Sequence, residues 1–481
     1  MSPLLRRALP RIAAVMTALI SVGAVVTILN AVESRSGLVW ICVGGGLLVA
    51  GGSITLALAR QTVWDRLAAR AERWLQPQPR GEDAPVWGGV LIALGAIVYL
   101  AQLAVYFPQN DSYAGQDEEA FILTAAEVHD AGGALALLPE LYSGRFREAN
   151  RHPLYLGMLA LRPNFQSGKL LSVVLGCSVF VGVIVLGVRR RQWLRTGILC
   201  LLLGWNFAFA RFSVIVGCEV LLAGIVGLYW LWLEVPAERT HGETPAAADW
   251  KLAAVSAVAV ALAWLTKGTG LLLAAGCGLW LLVGSLRAES GDIRWSERGR
   301  WVHGVRVLAV FAVVWVVVAS PLLTRNVLRF RHPFHNVNTW LLFVDEYQDP
   351  DQLSQSTTVA EAAAAYVGSH TWAEMAAREA QGLIWEVFVL LRSLGPPPWE
   401  DARVLPGAVL AALAIIGILV ERRREQRLLV LWLLLCFPLF AWYVPIAVGE
   451  RFIFPLVIPL LSCAADGGMH CLRWMRRASA S

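Results

Sequence analysis

Three consecutive acidic residues, Asp117, Glu118 and Glu119, begin a segment that reads DEEAFILTAAEVHD. The spacing predicts a helix that ends at Gly132-Gly133, with one face formed by Phe121, Thr124/Ala125 and Val128. Acids in a first turn stabilise a helix through capping and through the helix dipole. One acid is enough for a cap, whereas a carboxylate here is also placed to act as a general base. From the residues alone, both interpretations of Asp117 and Glu118 stay open.

Another acid and an isolated lysine interrupt long apolar runs. Glu219 lies in SVIVGCEVLLAG, and Lys267 lies in AWLTKGTGLLLA. An acid within an apolar run is costly and is a functional candidate, but it can also form a salt bridge, either to Arg211 or to another helix. Lys267 is either a lysine that extends to the membrane surface or a point charge for a phosphate.

Several basic residues also lie beside apolar runs. Arg151 and His152 precede a proline in NRHPLYLG, Arg325 lies in SPLLTRNVLRF, and Arg451 follows Glu450 in VGERFIFP. Arginine suits phosphate because its planar guanidinium presents several donors. The alternatives are a positioned turn for Arg151 and His152, and contact with lipid head groups for Arg325.

The composition places these residues in a membrane protein. The chain has 481 residues, of which 57% are hydrophobic and 16% charged, and its mean hydropathy is +0.58. These values exclude a soluble globular enzyme and a disordered chain. Nearly all of the eight cysteines lie in or beside apolar runs, so neither a disulfide framework nor a zinc site is expected. Because His332 and His335 are weak metal evidence, we predict no metal site, while a divalent cation remains an open cofactor.

We predict an all-α polytopic protein with about twelve membrane helices. The spans are about 12–31, 38–58, 87–106, 169–188, 196–210, 216–233, 251–266, 270–286, 306–324, 404–420, 428–445 and 452–467. Placing both termini in the cytoplasm gives the cytoplasmic side a clear excess of arginine and lysine, as the positive-inside rule requires. The long loops, about 107–168 and 325–403, then lie on the outer face. We expect a multi-pass protein of a bacterial inner membrane.

This topology suggests three parts. Residues 1–86 hold two N-terminal membrane helices, additional to the main domain, and an amphipathic segment at 60–80. Residues 87–470 form the main membrane domain, and residues 471–481 are a cytoplasmic tail. The cytoplasmic loops are too short for a nucleotide-driven motor, and no GxxxxGK[ST] motif occurs. The segment from Ala360 to Leu391 is predicted to be an amphipathic helix, which either covers a groove or packs on the membrane.

The candidate residues gather at the predicted outer boundary of the membrane. A water-soluble phosphate would not need this placement. A lipid-linked phosphate would, because its head group lies at that depth while its tail lies between helices.

In order, these motifs resemble the GT-C fold glycosyltransferases, and most closely the branch that contains protein O-mannosyltransferases and the lipid A aminoarabinose transferase. The resemblance covers about residues 87–470 and rests on six segments: Asp117-Glu118-Glu119-Ala120-Phe121, Arg151-His152-Pro153-Leu154, Glu219, Leu265-Thr266-Lys267-Gly268, Pro321 to Asn326, and Arg451 to Pro455. There are departures: His152 replaces a proline of the family pattern, and Glu219 stands where many relatives have aspartate.

The resemblance implies transfer of a sugar from a polyprenyl-phosphate carrier to a lipid, glycan or protein acceptor on the outer face, with inversion. It implies that Asp117 takes the proton of the acceptor and that Glu118 or Glu219 assists. The substrate-binding cations would be Lys267, Arg325, Arg451, Arg151 and the adjacent His152. The expected partners are the donor, the acceptor and membrane lipids, without nucleic acid. A lipid-linked glycan ligase or polymerase and a lipid transporter are the alternatives.

Overall fold

A computed structural model describes residues 85–113, 115–234, 245–286, 298–397, 401–421, 423–447 and 449–480. Within these ranges the chain is helical, with short 3-10 turns and no strand, so the predicted all-α class is confirmed. The two expected spans at 12–31 and 38–58 and the amphipathic segment at 60–80 lie outside the described residues.

The described helices follow one another in this order: α1 (Pro85–Gln109), α2 (Gln116–Asp130), α3 (Ala134–Tyr142), α4 (Pro153–Leu159), α5 (Phe165–Arg189), α6 (Trp193–Gly204), α7 (Phe207–Phe212), α8 (Glu219–Leu233), α9 (Pro245–Thr266), α10 (Gly270–Leu286), α11 (Arg298–Phe330), α12 (Pro350–Ser356), α13 (Val359–Ser369), α14 (Trp372–Leu394), α15 (Val404–Glu421), α16 (Arg424–Tyr443), α17 (Glu450–Ile453) and α18 (Val457–Ala480). Short 3-10 turns occupy Val337–Phe343, Asp401–Arg403 and Phe454–Leu456.

Seven helical segments among the described residues are long and apolar enough to cross a membrane. Three shorter apolar helices, α6, α8 and α10, coincide with other predicted spans. Each predicted span from 87 onward therefore meets an apolar helix. In addition, α2 and α3 form a pair bent by 87° that passes the same test only when joined, as a broken span or a re-entrant loop would.

The last span is the centre of the bundle. Inside its most apolar window, 89% of Glu450–Trp474 is buried, against 22–50% for the other candidate spans. Phe454, Val457 and Leu461 are fully enclosed. A central helix has the most neighbours, so the residues that begin it, including Arg451, meet side chains from several other helices.

Helices α1 and α6 approach each other through glycines. A Cβ built on Gly95 would lie 2.5 Å from the backbone of Cys200, and one on Gly204 would lie 2.2 Å from the carbonyl oxygen of Gly95. Small residues at a helix interface permit backbone contact that larger side chains prevent. This contact fixes α1, which leads into the first long loop.

The helix boundaries differ from the sequence predictions at three places. Helix α11 continues through Arg325 to Phe330, so this arginine lies in a helix rather than a loop; the chain turns only at Arg331, which has a positive φ of 60° before His332-Pro333. The predicted span 196–210 breaks after Gly204, because Asn206 caps a new helix, α7. The predicted helix from Ala360 to Leu391 is two helices, since Thr371 forms a capping box that starts α14.

Candidate functional site

Asp117 and Arg451 form an ion pair, although 334 positions of the chain separate them. Asp117 is in the first turn of α2, as the sequence predicts, and Arg451 lies in α17 at the start of the last span. Their side chains are 57% and 37% exposed, so a ligand can reach both of them. The predicted apolar face of α2 is buried, and Gly132 and Gly133 end the helix with positive φ values.

Glu219 and Lys267 form a second ion pair. Nζ of Lys267 donates to Oε1 of Glu219 at 2.9 Å. Glu219 is the first residue of α8, and Lys267 lies in the turn between α9 and α10. The salt bridge of Glu219 is therefore to another helix pair rather than to Arg211. Burial is the largest influence and lowers the pKa of Lys267, but the Glu219 carboxylate and other neighbouring groups together hold the pKa above its ordinary value, so Lys267 is charged.

The two ion pairs meet around the ring of Phe452. Cζ of Arg451 lies 5.2 Å from the ring centroid, and Nζ of Lys267 lies 5.9 Å from it. Arg451 interacts electrostatically with both Glu219 and Lys267. Two acids and two cations, from four separate parts of the chain, thus share one location at the ends of apolar helices. We call Asp117, Glu219, Lys267 and Arg451 the charged site.

Glu118 points into the protein instead of toward this location. Its side chain is 3% exposed, and Oε1 accepts a hydrogen bond from the backbone N–H of Val216 at 2.8 Å. The bond joins the start of α2 to the segment before α8. It therefore helps to hold Asp117 near Glu219.

His152 is buried and neutral. Its Nδ1 donates to the carbonyl oxygen of Trp264, because a carbonyl can only accept, and this fixes the tautomer with Nε2 unprotonated. Burial lowers the pKa of His152 from 6.5 to about 4, although the bond to Trp264 acts in the opposite direction. Arg325 and Lys267 lower this pKa further, so His152 lies within electrostatic reach of both.

Arg325 lies beneath the long loop. It is 1% exposed, and its Nη1 donates to the carbonyl oxygen of Glu148. The guanidinium also contacts the rings of Phe146 and Phe330, at 5.8 and 5.2 Å from their centroids. In this state Arg325 holds the segment before Arg151 and is covered by it.

Arg151 pairs with Glu148, a residue that the sequence analysis did not single out. Nη1 of Arg151 lies 3.3 Å from Oε2 of Glu148, and the other carboxylate oxygen accepts from the backbone N–H groups of Asn150 and Arg151. Side chains that bond the backbone two residues on are a known turn signal for Asn and Asp, and a glutamate at this position gives no comparable signal in the sequence. Phe452 was also missed, although GERFIFP places it beside Arg451.

The site can hold an anion and move a proton. Arg451 and Lys267 supply positive charge, while Asp117 is an exposed carboxylate next to them. Within the described ranges, no group of three or more His, Cys, Asp or Glu side chains is arranged to hold a metal ion. The arrangement suits a reaction in which a phosphate gains charge while a hydroxyl loses a proton.

Comparison with known proteins gives one structural similarity. The chain is similar to the crystal structure of ArnT from Cupriavidus metallidurans bound to undecaprenyl phosphate, with 19% sequence identity and a TM-score of 0.43. The similarity covers 80% of this chain and 60% of the ArnT chain, so the protein spans less than two thirds of that structure. No protein family model matches the chain, and no curated protein matches it.

Proposed function

We propose that this protein is a membrane glycosyltransferase that moves a sugar from a polyprenyl-phosphate-linked donor to a hydroxyl of a lipid, glycan or protein acceptor on the outer face of the membrane. The observation that carries the proposal is the meeting of the ion pairs of Asp117 with Arg451 and of Glu219 with Lys267 around Phe452. The ordered motifs that resemble GT-C fold enzymes contain the same four residues and also support it.

The donor phosphate binds between Arg451 and Lys267. Both cations lie at the ends of apolar helices, where the head group of a lipid is met while its tail lies between helices. In the free protein each cation is neutralised by a carboxylate. When the phosphate binds Arg451, it displaces Asp117, and the freed carboxylate becomes available as a base.

The transfer is a single inverting displacement. The oxygen of the acceptor hydroxyl attacks the anomeric carbon, and Asp117 takes the hydroxyl proton. The bond between that carbon and the phosphate oxygen breaks, its electron pair goes to the phosphate, and Lys267 and Arg451 stabilise the added negative charge. Glu219 keeps Lys267 charged and oriented.

The remaining candidate residues support this centre. We assign Glu118 to positioning, through its bond to Val216. Arg151, His152 and Arg325 hold the loop between α3 and α4 against α9 and α11. Their contacts in the free protein are internal, so a direct part in phosphate binding would require this loop to move.

A ligase or polymerase of lipid-linked glycans would need the same four charged side chains and is the second enzymatic candidate. A transporter is disfavoured by the position of the four charged side chains. They lie at helix ends, whereas transporter sites lie near the membrane midplane at broken helices. We place the enzyme in the inner membrane with cytoplasmic termini, its catalytic domain at 87–470 and residues 1–86 as an N-terminal addition.

The test is sugar transfer by the purified full-length protein in lipid nanodiscs, using a panel of polyprenyl-phosphate sugars. One donor should be consumed, and Asp117→Asn should lower the rate about 10²- to 10⁴-fold, because a positioned general base contributes this much. Glu119→Gln is the matched control, since Glu119 is the exposed neighbouring acid outside the ion pairs.

The outcomes separate two claims. If no donor in the panel is consumed, with or without a crude lipid acceptor, the glycosyltransferase proposal is wrong. If a donor is consumed equally well by Asp117→Asn, the enzyme class stands and the role of Asp117 as the base is refuted.

A further inference from the structure

A cleft opens beside the charged site, and the transfer mechanism makes no use of it. Its volume is about 500 Å³, and it lies between α14 and the Val444-Pro445 turn that follows α16. Aromatic rings and polar side chains line it together: Tyr366, Trp385, Arg378, Asp345, Glu374 and Gln381.

Arg378 fixes one wall of this cleft. Nε donates to the carbonyl oxygen of Trp442 at 3.0 Å, and Nη1 donates to the hydroxyl of Tyr366 at 2.7 Å and to the carbonyl oxygen of Val344 at 2.9 Å. The side chain is only 7% exposed. Nη2 has no hydrogen-bond partner among the described residues. Because Nη2 is itself enclosed, Arg378 shapes the wall of the cleft, and the groups that a ligand can reach are the more exposed side chains around it.

The other polar groups supply hydrogen-bond acceptors. Asp345 contacts Arg378 at 3.4 Å and His370 at 3.2 Å, yet its side chain remains 61% exposed. Glu374 is exposed beside it, and Gln381 offers both a donor and an acceptor. Two carboxylates beside one guanidinium disfavour an anionic ligand. Mixed donors and acceptors suit a neutral ring that carries many hydroxyl groups.

An aromatic side chain completes this chemistry. Trp385 lines the cleft and is 45% exposed, so one side of it is available to a ligand. The apolar face of a sugar ring packs on an indole, while its hydroxyl groups reach the polar side chains around it. A peptide backbone would gain less from this combination, because it carries few hydroxyl groups.

The cleft adjoins the charged site through residues 442–445. Trp442 stacks on Arg378, with 4.6 Å between the guanidinium carbon and the ring centroid. The next residue, Tyr443, packs edge-to-face on Phe452 at 5.8 Å and interacts electrostatically with Arg451 and Asp117. A molecule in the cleft is therefore a neighbour of the centre where transfer is proposed.

We infer that this cleft binds a neutral saccharide and that the acceptor is a glycan, one of whose sugar rings is held there while another presents its hydroxyl to Asp117. The inference rests on the proposed transfer, and it narrows the acceptor from a lipid, glycan or protein to a glycan.

The test measures sugar binding separately from transfer. Saturation-transfer NMR with N,N′-diacetylchitobiose and maltose is recorded on the full-length protein in nanodiscs, which avoids glycoside detergents. Glucuronic acid and a serine/threonine peptide serve as comparison ligands. We expect signals from the neutral disaccharides, and about five- to tenfold weaker binding in Trp385→Leu and in Gln381→Ala. Trp372→Leu is the matched control, because Trp372 is an 82% exposed tryptophan of the same helix that does not line the cleft.

The binding and transfer measurements test the saccharide site and the proposed transfer separately. Absence of disaccharide binding, stronger binding of glucuronic acid or of the peptide, or equal loss in Trp372→Leu would overturn the inference, even if a donor is consumed normally. Disaccharide binding that depends on Trp385, without consumption of any donor, would refute the acceptor role and the proposed transfer together. With an active donor, Trp385→Leu should raise the KM for a glycan acceptor about five- to tenfold and leave kcat unchanged.

Discussion

Two of the three lysines in this chain have different roles that their sequence contexts do not reveal. Lys169 is buried and donates to the carbonyl oxygens of Phe107 and Asn110, at and just beyond the end of α1. A cation at a helix C-terminus is stabilising, so this lysine is structural. Lys267 instead pairs with Glu219 beside an exposed arginine. Both lysines follow an apolar or glycine-containing stretch in the sequence. Only the groups that they contact in the folded protein distinguish their roles.

His152 gives a prediction at the scale of one residue. Its pKa is about 4 in the folded protein and about 6.5 in an unfolded chain. As the pH falls below 6.5, the unfolded state therefore binds the proton first, and the folded state loses stability until about pH 4. The contribution reaches roughly 3 kcal/mol. His152→Asn, which keeps a donor for the carbonyl oxygen of Trp264, should show a smaller loss of thermal stability between pH 7 and pH 4.5.

His129→Asn is the matched control for this measurement. Its Nδ1 also bonds a backbone carbonyl, that of Ala160 at 2.8 Å, but the residue is exposed. The unfolding temperature of this variant should follow the wild-type pH dependence. Identical pH profiles for wild type and His152→Asn would show that His152 is not buried in its neutral form.

At the scale of helices, the contact of α1 with α6 depends on glycine. Gly95→Ala should lower the free energy of unfolding by about 1–3 kcal/mol, because the added methyl group would lie within 2.5 Å of the Cys200 backbone. Gly89→Ala on the same helix meets nothing within 4 Å and should be neutral or slightly stabilising. Thermal unfolding in nanodiscs measures both, and equal stability of the two variants would contradict the close approach.

Helix α14 shows why amphipathicity alone did not define its role. One face buries Met375, Gly382 and Val389, while Ile384 and Trp385 are exposed on the other. Its amphipathic pattern is compatible either with a cover over a groove or with packing on the membrane. Gly382 approaches the backbone of Ala441 so closely that a Cβ would lie 1.9 Å from its carbonyl oxygen. This contact places α14 against α16 and creates one wall of the cleft.

At the scale of the whole molecule, a buried ion cluster ties distant segments together at the end of the bundle opposite the charged site. Arg195 donates to Asp466 at 2.6 Å and to Glu234 at 2.7 Å, and Ser462 donates to the same glutamate at 3.1 Å. Arg195 joins α6 to α18 and to the end of α8. The cluster therefore fixes the central helix whose other end carries Arg451.

Removal of Arg195 leaves two buried carboxylates without their main partner. Arg195→Met should lower the free energy of unfolding by about 3–5 kcal/mol, the usual cost of breaking a buried pair. Combining it with Glu234→Gln and Asp466→Asn should restore part of this loss, because the uncompensated charge is then removed. No restoration in the unfolding temperature of the triple variant would show that packing, rather than charge, sets the cost.

The sequence by itself determined the all-α membrane class, the apolar helices from 87 onward, the helix that begins at the acids 117–119, and the residues of the charged site. Composition, apolar run length and helical spacing are local properties, so they can be read without a fold. The same is true of Asp117, Glu219, Lys267 and Arg451, whose residue types are unusual for their surroundings.

Only the tertiary structure decided which of the candidate residues meet. It paired Asp117 with Arg451 over 334 positions of chain, turned Glu118 inward to Val216, and buried Arg325 and His152 beneath the loop. It also formed the cleft around Arg378, whose partners come from segments up to 64 residues away. Spacing along a helix fixes the face on which a side chain lies, but the packing of whole helices fixes its neighbour, because that depends on contacts distant in sequence.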